Sequence, residues 1–427
     1  MANAYQLMTD ADLDAAIADL ERKAADIAAL GLSLDMARGK PSPEQTDLSR
    51  PMLDLLTSET PLDDDGSPVA NYGVPDGLPS ARALAADLLG VDAANVIVNG
   101  SSSLNLMHDL VVNAFARGIA GQEPWCRQGQ VKFLCPSPGY DRHFAVTASL
   151  GIENIPVPLG DDGPDMEVVR SLVEADPQVK GIWCVPKYAN PTGISYSDEV
   201  VRAFASLRPA APDFRIFWDN AYMVHDLYDE GDELLDIFAA MAEAGTKNLV
   251  YEFGSTAKVT FPSSGIAFVT ACPDDMRDIR SAFAVERVSP EKLTQLAHVR
   301  FLRDAAGVRA HMRKHAAILR PRFELVQKKL NEGLGGLQVA SWTNPRGGYF
   351  VSFDGPQGTA KEIVAMMREL GVTLTGAGAT WPSGRDPHDT NIRIAPTYPS
   401  IEALGQALDV FVVVVRLVAA RHARAER

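Results

Sequence analysis

The chain has few cysteines, and its basic residues are outnumbered by acidic ones. Its 427 residues include four cysteines at positions 126, 135, 184 and 272, and no two of them form a CxxC pair. Cys135 and Cys184 lie in apolar runs, and this spacing is typical of free cysteines in a reducing cytoplasm. Lysine and arginine total 40 against 55 for aspartate and glutamate, so the net charge is −15. Because binding to phosphates needs a positive surface, we expect no nucleic-acid partner.

Long apolar runs and a secretory leader are also missing. No lysine or arginine occurs between Met1 and Asp19, so the basic segment that opens a signal peptide is absent. The longest apolar run, Val410 to Val415, is far shorter than the roughly 20 residues that cross a bilayer. We therefore expect a cytoplasmic protein without a membrane partner. No internal repeat is evident, and no metal site is predicted.

From Val96 onward, short apolar segments alternate with helical patterns. Helices are predicted at Leu104–Arg117, Met166–Ala175 and Ser197–Leu207. The alternation predicts an α/β fold with a mainly parallel seven-stranded sheet flanked by helices. The predicted strands are Val96–Val98, Val131–Cys135, Asn154–Val157, Gly181–Val185, Ile216–Trp218, Asn248–Phe253 and Gly265–Thr270.

The chain is too long for one compact core, so we predict two domains. After about Arg300 a long helical pattern, residues 311–332, is followed by a smaller α+β pattern. Its predicted strands are 337–341, 348–353 and 391–394, and its predicted helices are 359–370 and about 400–422. We predict an N-terminal segment (1–60) that joins the small domain, a large domain (61–304) and a small C-terminal domain (305–427).

Lys258 ends the segment Val250-Tyr251-Glu252-Phe253-Gly254-Ser255-Thr256-Ala257-Lys258. A polar residue behind the end of a strand lies where α/β proteins bind their ligands. The lysine amine can attack a carbonyl carbon to form a Schiff base. On this segment alone, a solvated surface lysine is an equally good interpretation.

Serines follow the first predicted strand of the sheet. Gly100-Ser101-Ser102-Ser103 precedes the predicted helix Leu104–Arg117. Hydroxyls and backbone N–H groups at a helix N-terminus can bind a phosphate. The alternative is a serine that only caps the helix.

Aromatic and amide side chains follow two further strands. Tyr140 could stack on a flat heterocycle, with His143 beneath it, or simply pack on the core. Asn190 lies in an Asn-Pro-Thr-Gly turn. That turn could point an amide into the crevice at the strand ends, or it could be an ordinary turn.

Two charged residues lie in or directly after apolar strands. Asp219 follows Ile216–Trp218, and a buried carboxylate there needs a cation or a strong donor. A protonated ring nitrogen would supply that partner, and Tyr222 could bond to a neighbouring oxygen. Arg393 lies inside an apolar strand, where its guanidinium needs a carboxylate ligand or a structural salt bridge.

Taken in order, these motifs resemble those of the fold-type I aminotransferases that use pyridoxal phosphate. The resemblance extends from about Leu34 to Pro396 and is closest to the aspartate aminotransferase group. The segments 37–43 (Ala-Arg-Gly-Lys-Pro-Ser-Pro) and 139–143 (Gly-Tyr-Asp-Arg-His) are similar to an actinobacterial-type subgroup. The resemblance implies a homodimer that transfers the amino group of aspartate to 2-oxoglutarate.

The resemblance also implies roles for individual residues. Lys258 would hold the cofactor as a Schiff base and move the proton at the substrate α-carbon, and Asp219 would pair with the pyridine nitrogen. The other implied cofactor contacts are Tyr222 and Asn190 at the phenolic oxygen, Tyr140 on the ring, and Ser101, Ser102, Ser255 and the partner subunit's Tyr72 at the phosphate. His143 would support Asp219. Arg393 and Gly39 would bind the substrate carboxylate, together with Asn190.

The sequence departs from the family pattern after Lys258. Relatives carry a phosphate-binding arginine about eight residues after the lysine, whereas Val259 to Ile266 contains no cation. The residue that binds the second carboxylate of a dicarboxylic substrate also stays open. Its candidates are Arg38, Lys40, Arg287 and Lys292, with a preference for the first two.

Other reactions are alternatives. The same lysine and aspartate would serve an aminotransferase of alanine, aromatic amino acids or 2-aminoadipate, or a β-lyase. A nicotinamide-dependent dehydrogenase needs GxGxxG after an early strand, whereas Gly376-Ala377-Gly378-Ala379-Thr380-Trp381 lacks the third glycine and comes late. A regulator built on this fold would need an added DNA-binding domain.

Overall fold

The computed structural model describes residues 3–58, 62–67 and 69–427. The α-helices are α1 (Asp10–Ala29), α2 (Pro43–Asp47), α3 (Pro79–Leu89), α4 (Ser103–Arg117), α5 (Asp141–Ser149), α6 (Met166–Ala175), α7 (Asp198–Ala205), α8 (Ile237–Ala244), α9 (Pro273–Glu286), α10 (Leu293–Leu302), α11 (Ala305–Leu334), α12 (Ala360–Glu369) and α13 (Ile401–Ala425). The strands are β1 (Leu34–Asp35), β2 (Val96–Val98), β3 (Lys132–Ser137), β4 (Glu153–Pro158), β5 (Val179–Cys184), β6 (Arg215–Asp219), β7 (Val250–Ser255), β8 (Ala267–Ala271), β9 (Ser341–Trp342), β10 (Val351–Asp354), β11 (Val372–Thr373) and β12 (Asn391–Ile394).

A seven-stranded sheet in the order β2-β8-β7-β6-β5-β3-β4 forms the centre of the structure. All seven strands predicted from the sequence are present. β8 runs antiparallel to both of its neighbours, and the other pairs are parallel. The prediction of an α/β fold with a mainly parallel sheet is therefore confirmed.

Helices cover both faces of this sheet because successive strand residues point to opposite sides. On β6, Phe217 packs into one buried cluster, whereas Ile216 and Trp218 pack into another. Phe133 and Leu134 divide between the same two clusters on β3. Burial on both faces explains why these strands are apolar along their whole length rather than at alternate positions.

The C-terminal elements include a second, antiparallel sheet in the order β12-β10-β9. α1 packs against α13, and β1 pairs with β11, so the N-terminal segment contacts C-terminal elements. The domain boundaries themselves stay a prediction, and residues 60 and 61, at the first of them, lie outside the described residues.

Helix α13 is long and apolar enough to cross a membrane by length and composition. The short run Val410 to Val415 did not reveal this property, because single charged residues divide the apolar part of the helix. Within the structure, 61% of its most apolar 18-residue stretch is buried. α13 packs against α1 and α11, as the core helix of a globular protein does.

Some local predictions were wrong. The segment 337–341 forms a strand only from Ser341, because Gln338 has a φ of 54°, which lies outside the extended region. Helices α2, α5, α8, α9 and α10 were not predicted. α5 begins at Asp141, directly after Tyr140. All four cysteines are free, as expected.

Candidate active site

A cavity of about 250 Å³ lies at the carboxyl ends of β3, β5, β6 and β7. This is the edge at which open α/β sheets bind ligands. Most of the residues singled out from the sequence meet here. The predicted residues that line the cavity are Gly39, Ser102, Tyr140, Asn190, Asp219, Tyr222, Ser255, Lys258 and Arg393.

Asp219 ends β6 with its carboxylate almost fully buried at 3% exposure. His143 Nε2 lies 3.0 Å from its Oδ2 atom. The other oxygen, Oδ1, has no hydrogen-bond partner among the described residues. A buried carboxylate oxygen without a partner is costly. The site therefore offers an acceptor to a donor that the protein itself does not provide.

His143 is held from two sides in α5. Its ring stacks on the Trp183 indole, with centroids 4.7 Å apart and planes inclined by 14°. Tyr140, at the start of the same helix, meets it edge-on at 5.0 Å. Burial, together with the nearby Asp219 carboxylate, raises the pKa of Tyr140 to about 12. Tyr140 therefore presents a neutral ring to the cavity at pH 7.

Lys258 follows β7 and extends into the cavity over Tyr222. Its Nζ atom lies 5.0 Å from the centre of the Tyr222 ring. Among the described residues, none hydrogen-bonds to this amine. Burial lowers the pKa of Lys258, and the Asp219 carboxylate works in the opposite direction. The surface-lysine interpretation is therefore wrong, and the amine is closer to its neutral, nucleophilic form than an exposed lysine would be.

Arg393 on β12 is a largely buried guanidinium with spare donors. Its Nη1 donates to Asn190 Oδ1 at 3.1 Å, and its Nη2 donates to Thr375 Oγ1 at 3.1 Å. Asp141 Oδ1 lies 3.6 Å from Nη1, whereas Nε has no partner among the described residues. Phe350 lies under the guanidinium with its ring centre 4.7 Å from Cζ. The Arg393 guanidinium thus has a fixed orientation at the cavity wall. Its positive charge is only partly neutralised, by Asp141.

Gly39 also lines the cavity, and the Phe350 ring packs directly against its backbone. A Cβ atom at this position would collide with the Phe350 ring. A glycine is therefore required here by close approach rather than by an unusual φ angle. The backbone of the segment Arg38–Lys40 thus reaches the same wall as Arg393.

The serines lie at the end of the cavity formed by α4. Ser102 caps this 15-residue helix, since its Oγ accepts the Leu104 N–H at 3.3 Å. Ser102 therefore caps the helix, whose N-terminus also faces the cavity. Ser255 at the end of β7 lines the same space, but Ser101 does not. In the described chain, no cation follows Lys258 before Ile266, as the sequence showed.

Four residues named from the sequence lie away from this cavity. Tyr72 is 74% exposed, and the Lys40 amine lies over the Tyr398 ring. Lys292 Nζ donates to Asn71 O and Gly73 O, at 2.7 and 3.0 Å. The Arg287 guanidinium lies over Phe283. Within this one chain, Lys40, Arg287 and Lys292 are therefore in no position to bind a substrate carboxylate.

Arg142 lines the cavity, and its role was missed in the sequence. It is exposed, and its ion pair with the adjacent Asp141 is long, at 4.0 Å. Arg38, which also lines the cavity, pairs with Asp35 at 3.5 Å. In the sequence, the position of Arg142 two residues after Tyr140 could have indicated a place near the site. Only the structure shows that Arg142, in the first turn of α5, lines the cavity.

The fold and the cavity together define a fold-type I aminotransferase. The sequence profile of the family described as aspartate amino-transferase matches residues 8–427. The chain belongs to this family, and the resemblance noted in the sequence is confirmed.

Individual relatives are similar over nearly the whole chain. The aspartate aminotransferase of Corynebacterium glutamicum is 42% identical over 95% of this chain and 94% of its own length. A protein of Mycolicibacterium smegmatis, named in general terms as an aminotransferase, is 46% identical over 91% of this chain and 92% of its own. The crystal structure of a Corynebacterium glutamicum aspartate transaminase superposes with a TM-score of 0.96, at 41% identity and 99% coverage of both chains.

Proposed function

We propose that this chain is a pyridoxal-phosphate-dependent aminotransferase that transfers the amino group of aspartate to 2-oxoglutarate. The products are oxaloacetate and glutamate. The observation that carries the proposal is that one cavity holds both a half-buried lysine amine and a buried carboxylate oxygen that has no partner among the described residues. The choice of aspartate is supported by the relative of that name, which is similar over 95% of this chain.

The cavity fits the cofactor on its own chemistry. Asp219 Oδ1 is an acceptor without a donor, and a protonated pyridine nitrogen is such a donor. Lys258 would hold the cofactor covalently through its amine, and the neutral Tyr140 ring suits contact with a flat heterocycle. A structure with a similar fold, an α-aminoadipate aminotransferase of Thermus thermophilus, contains a phosphopyridoxyl group bound to leucine.

When bound, pyridoxal phosphate supplies an electron-withdrawing ring that accepts the electron pair left at the substrate α-carbon. His143 fixes one oxygen of Asp219 and so directs the other toward the cavity. A carboxylate held in this way keeps a pyridine nitrogen protonated. Asn190 and Tyr222 would bond to the phenolic oxygen of the cofactor.

Lys258 is the proton carrier in this proposal. Its lowered pKa leaves a larger neutral fraction of the amine than an exposed lysine would have. A neutral amine can take the proton from the substrate α-carbon and return it to a neighbouring carbon. The Asp219 charge limits the shift, so the protonated form stays accessible during the transfer.

Arg393 would bind the substrate α-carboxylate. Asn190 and Thr375 hold two of its nitrogens, and Phe350 supports the plane of the guanidinium. This arrangement orients the fork without neutralising it. The Gly39 backbone lies on the same wall and would add a contact to the same carboxylate.

Arg142 and Arg38 are the candidates for the second carboxylate of aspartate. Both line the cavity, and both have only long ion pairs, of 4.0 and 3.5 Å, with neighbouring aspartates. We favour Arg142 because it belongs to the same short segment as Tyr140. Binding by this chain's own arginine would need no cation from another subunit.

The phosphate would lie at the N-terminus of α4. Ser102 and Ser255 line that end of the cavity, and the helix dipole favours an anion there. Ser101 would contribute from beside the cavity. Without a cation between Val259 and Ile266, hydroxyls and backbone N–H groups would carry most of this binding.

We also propose a cytoplasmic homodimer. Tyr72, Val285 and Val288 are exposed by 74, 65 and 71%. Ser289 Oγ donates to Gly73 O and holds these apolar segments together. Such a patch is typical of a protein interface, and Tyr72 would reach the phosphate of the partner subunit. Light scattering should give about twice the chain mass of 46.0 kDa.

The function is tested by adding pyridoxal phosphate to the purified protein. A visible absorption band should form in the wild type and be absent in Lys258→Ala. The wild type should then convert aspartate and 2-oxoglutarate to oxaloacetate and glutamate, faster than it uses alanine or aromatic donors. A protein that stays colourless, or that prefers another donor, would contradict the cofactor or the substrate assignment respectively.

A further inference from the structure

The peptide carbonyl of the reactive lysine accepts a hydrogen bond from a side chain in a distant part of the chain, and a histidine lies close to the next carbonyl. Tyr349 OH donates to Lys258 O at 3.4 Å. His311 Nε2, on α11, lies 3.0 Å from Val259 O. Neither Tyr349 nor His311 lines the cavity. The backbone at Lys258 is thus bonded by a side chain that lies outside the cavity.

Gln45 on α2 connects Tyr349 to His315. Its Nε2 donates to Tyr349 OH at 3.1 Å and to His315 Nδ1 at 3.0 Å. Its Oε1 accepts the Ser42 N–H at 3.0 Å, which is half of the capping box of α2. That contact fixes the orientation of the amide, so both Nε2 hydrogens face the network.

The two histidines close the network. His315 Nε2 lies 3.1 Å from His311 Nε2. Because His315 Nδ1 accepts from Gln45, a neutral His315 carries its proton on Nε2, toward His311. Burial lowers the pKa of His315 to about 3, so the ring is neutral at pH 7. The resulting circuit of hydrogen bonds runs from Lys258 O through Tyr349, Gln45 and His315 to His311 Nε2, which accepts the His315 proton.

The circuit is shielded from solvent. Gln45, His315, Tyr349 and His311 are exposed by 0, 1, 1 and 5%. Buried polar networks whose members are bonded hold a single geometry, since each lost bond leaves an unpaired group in an apolar surrounding. Apolar contacts around Tyr349 alone would not restrain a carbonyl in this way.

We propose that Tyr349, Gln45 and His315 are positioning residues for Lys258. By fixing the plane of the peptide group that follows Lys258 Cα, they set the direction in which its side chain enters the cavity. The tilt of a peptide plane is transmitted through Cα to the long side chain, so a small change moves Nζ substantially. The proposal rests on the proposed function in that Lys258 is the reacting amine.

The first experiment uses Tyr349→Phe, which keeps the ring and removes the hydroxyl. Its matched control is Tyr5→Phe, because Tyr5 is equally buried in the same cluster and its hydroxyl bonds to Arg416. Amide hydrogen exchange of the cofactor-free protein should be faster over residues 256–260 in Tyr349→Phe only. Unchanged exchange there, or the same change in Tyr5→Phe, would overturn the proposal. This readout needs neither cofactor nor activity.

The second experiment measures how fast the cofactor-free protein captures pyridoxal phosphate, by stopped-flow absorbance. Capture by Tyr349→Phe should be slower by about tenfold, because a misplaced amine meets the aldehyde less often in a productive geometry. kcat should fall by a similar factor, with KM for aspartate nearly unchanged. A loss confined to KM would contradict a positioning role. If the wild type itself captures no cofactor, the proposed function fails, while the exchange result still decides this inference.

A double-mutant cycle tests the circuit. Gln45→Met removes the amide and roughly keeps its volume. Since Gln45 acts on Lys258 through Tyr349, the double variant should capture the cofactor no more slowly than the slower single variant. Additive losses would show two independent effects and overturn the circuit.

Discussion

His143 Nε2 bonds to one oxygen of Asp219 at 3.0 Å, and the other oxygen has no partner in the described part of the chain. The two side chains come from α5 and β6 and are 76 residues apart in the chain. A carboxylate bonded on both sides would have no affinity left for a ligand. The arrangement therefore both orients Asp219 and keeps its free oxygen available.

Asp219→Asn should abolish most activity while the protein stays folded. The amide keeps the shape but lacks the charge that holds a ring nitrogen protonated. We expect kcat to fall by at least about 100-fold, as for the loss of other oriented electrostatic groups. Steady-state kinetics with excess pyridoxal phosphate measures this. Asp176→Asn, which breaks the Lys132 ion pair away from the cavity, should be nearly neutral.

Arg393→Lys should weaken binding of every amino-acid donor. A lysine cannot form two parallel bonds to a carboxylate, and it loses the contacts to Asn190 and Thr375. A drop in kcat/KM of about 10- to 100-fold is expected, mostly through KM. Arg416→Lys, whose guanidinium contacts Tyr5, serves as the control. An unchanged KM for Arg393→Lys would contradict the assignment.

Arg142→Ala should change the substrate preference rather than the chemistry. Loss of a charged contact to the second carboxylate should lower kcat/KM for aspartate by about tenfold or more. Activity with alanine, which has no second carboxylate, should stay the same. Arg38→Ala, measured in parallel, distinguishes the two arginines. An equal loss for aspartate and alanine would exclude Arg142 as a specificity residue.

Glu252→Gln should stabilise the protein near pH 7 and above. Burial raises the pKa of Glu252 from an ordinary 4.5 to about 8. The folded state thus binds a proton that the unfolded state has released, and the stability due to this group is lost as the pH rises from 4.5 through 8. Glutamine keeps the acceptor for Asn220 without this cost.

The expected gain in unfolding free energy for Glu252→Gln is on the order of 2–3 kcal/mol at pH 7. At pH 4.5 the difference from the wild type should nearly disappear. Urea unfolding curves at the two pH values measure both effects. A difference that does not depend on pH would mean that Glu252 is ionised in the folded protein.

Local sequence patterns accounted for most of the architecture. Strands such as Ile216–Trp218 and Asn248–Phe253 are apolar on both faces. Continuous apolar runs of this kind are typical of parallel sheets that helices cover on both sides, so they could be predicted from the sequence. Prediction was weakest where the backbone departs from regular geometry, as at Gln338 with its positive φ. Such a departure has no signature in hydrophobic periodicity.

The sequence by itself determined the seven strands of the central sheet, the place of Lys258 and Asp219 at their carboxyl ends, and the family. These features are local, since they depend on short apolar runs and on the residues directly after them. Only the tertiary structure decided that His143 orients Asp219, that Arg142 rather than Lys292 faces the cavity, and that Gln45 reaches the backbone of Lys258 through Tyr349. These contacts join segments tens to hundreds of residues apart, and side chains so distant meet only through the packing of whole helices and strands.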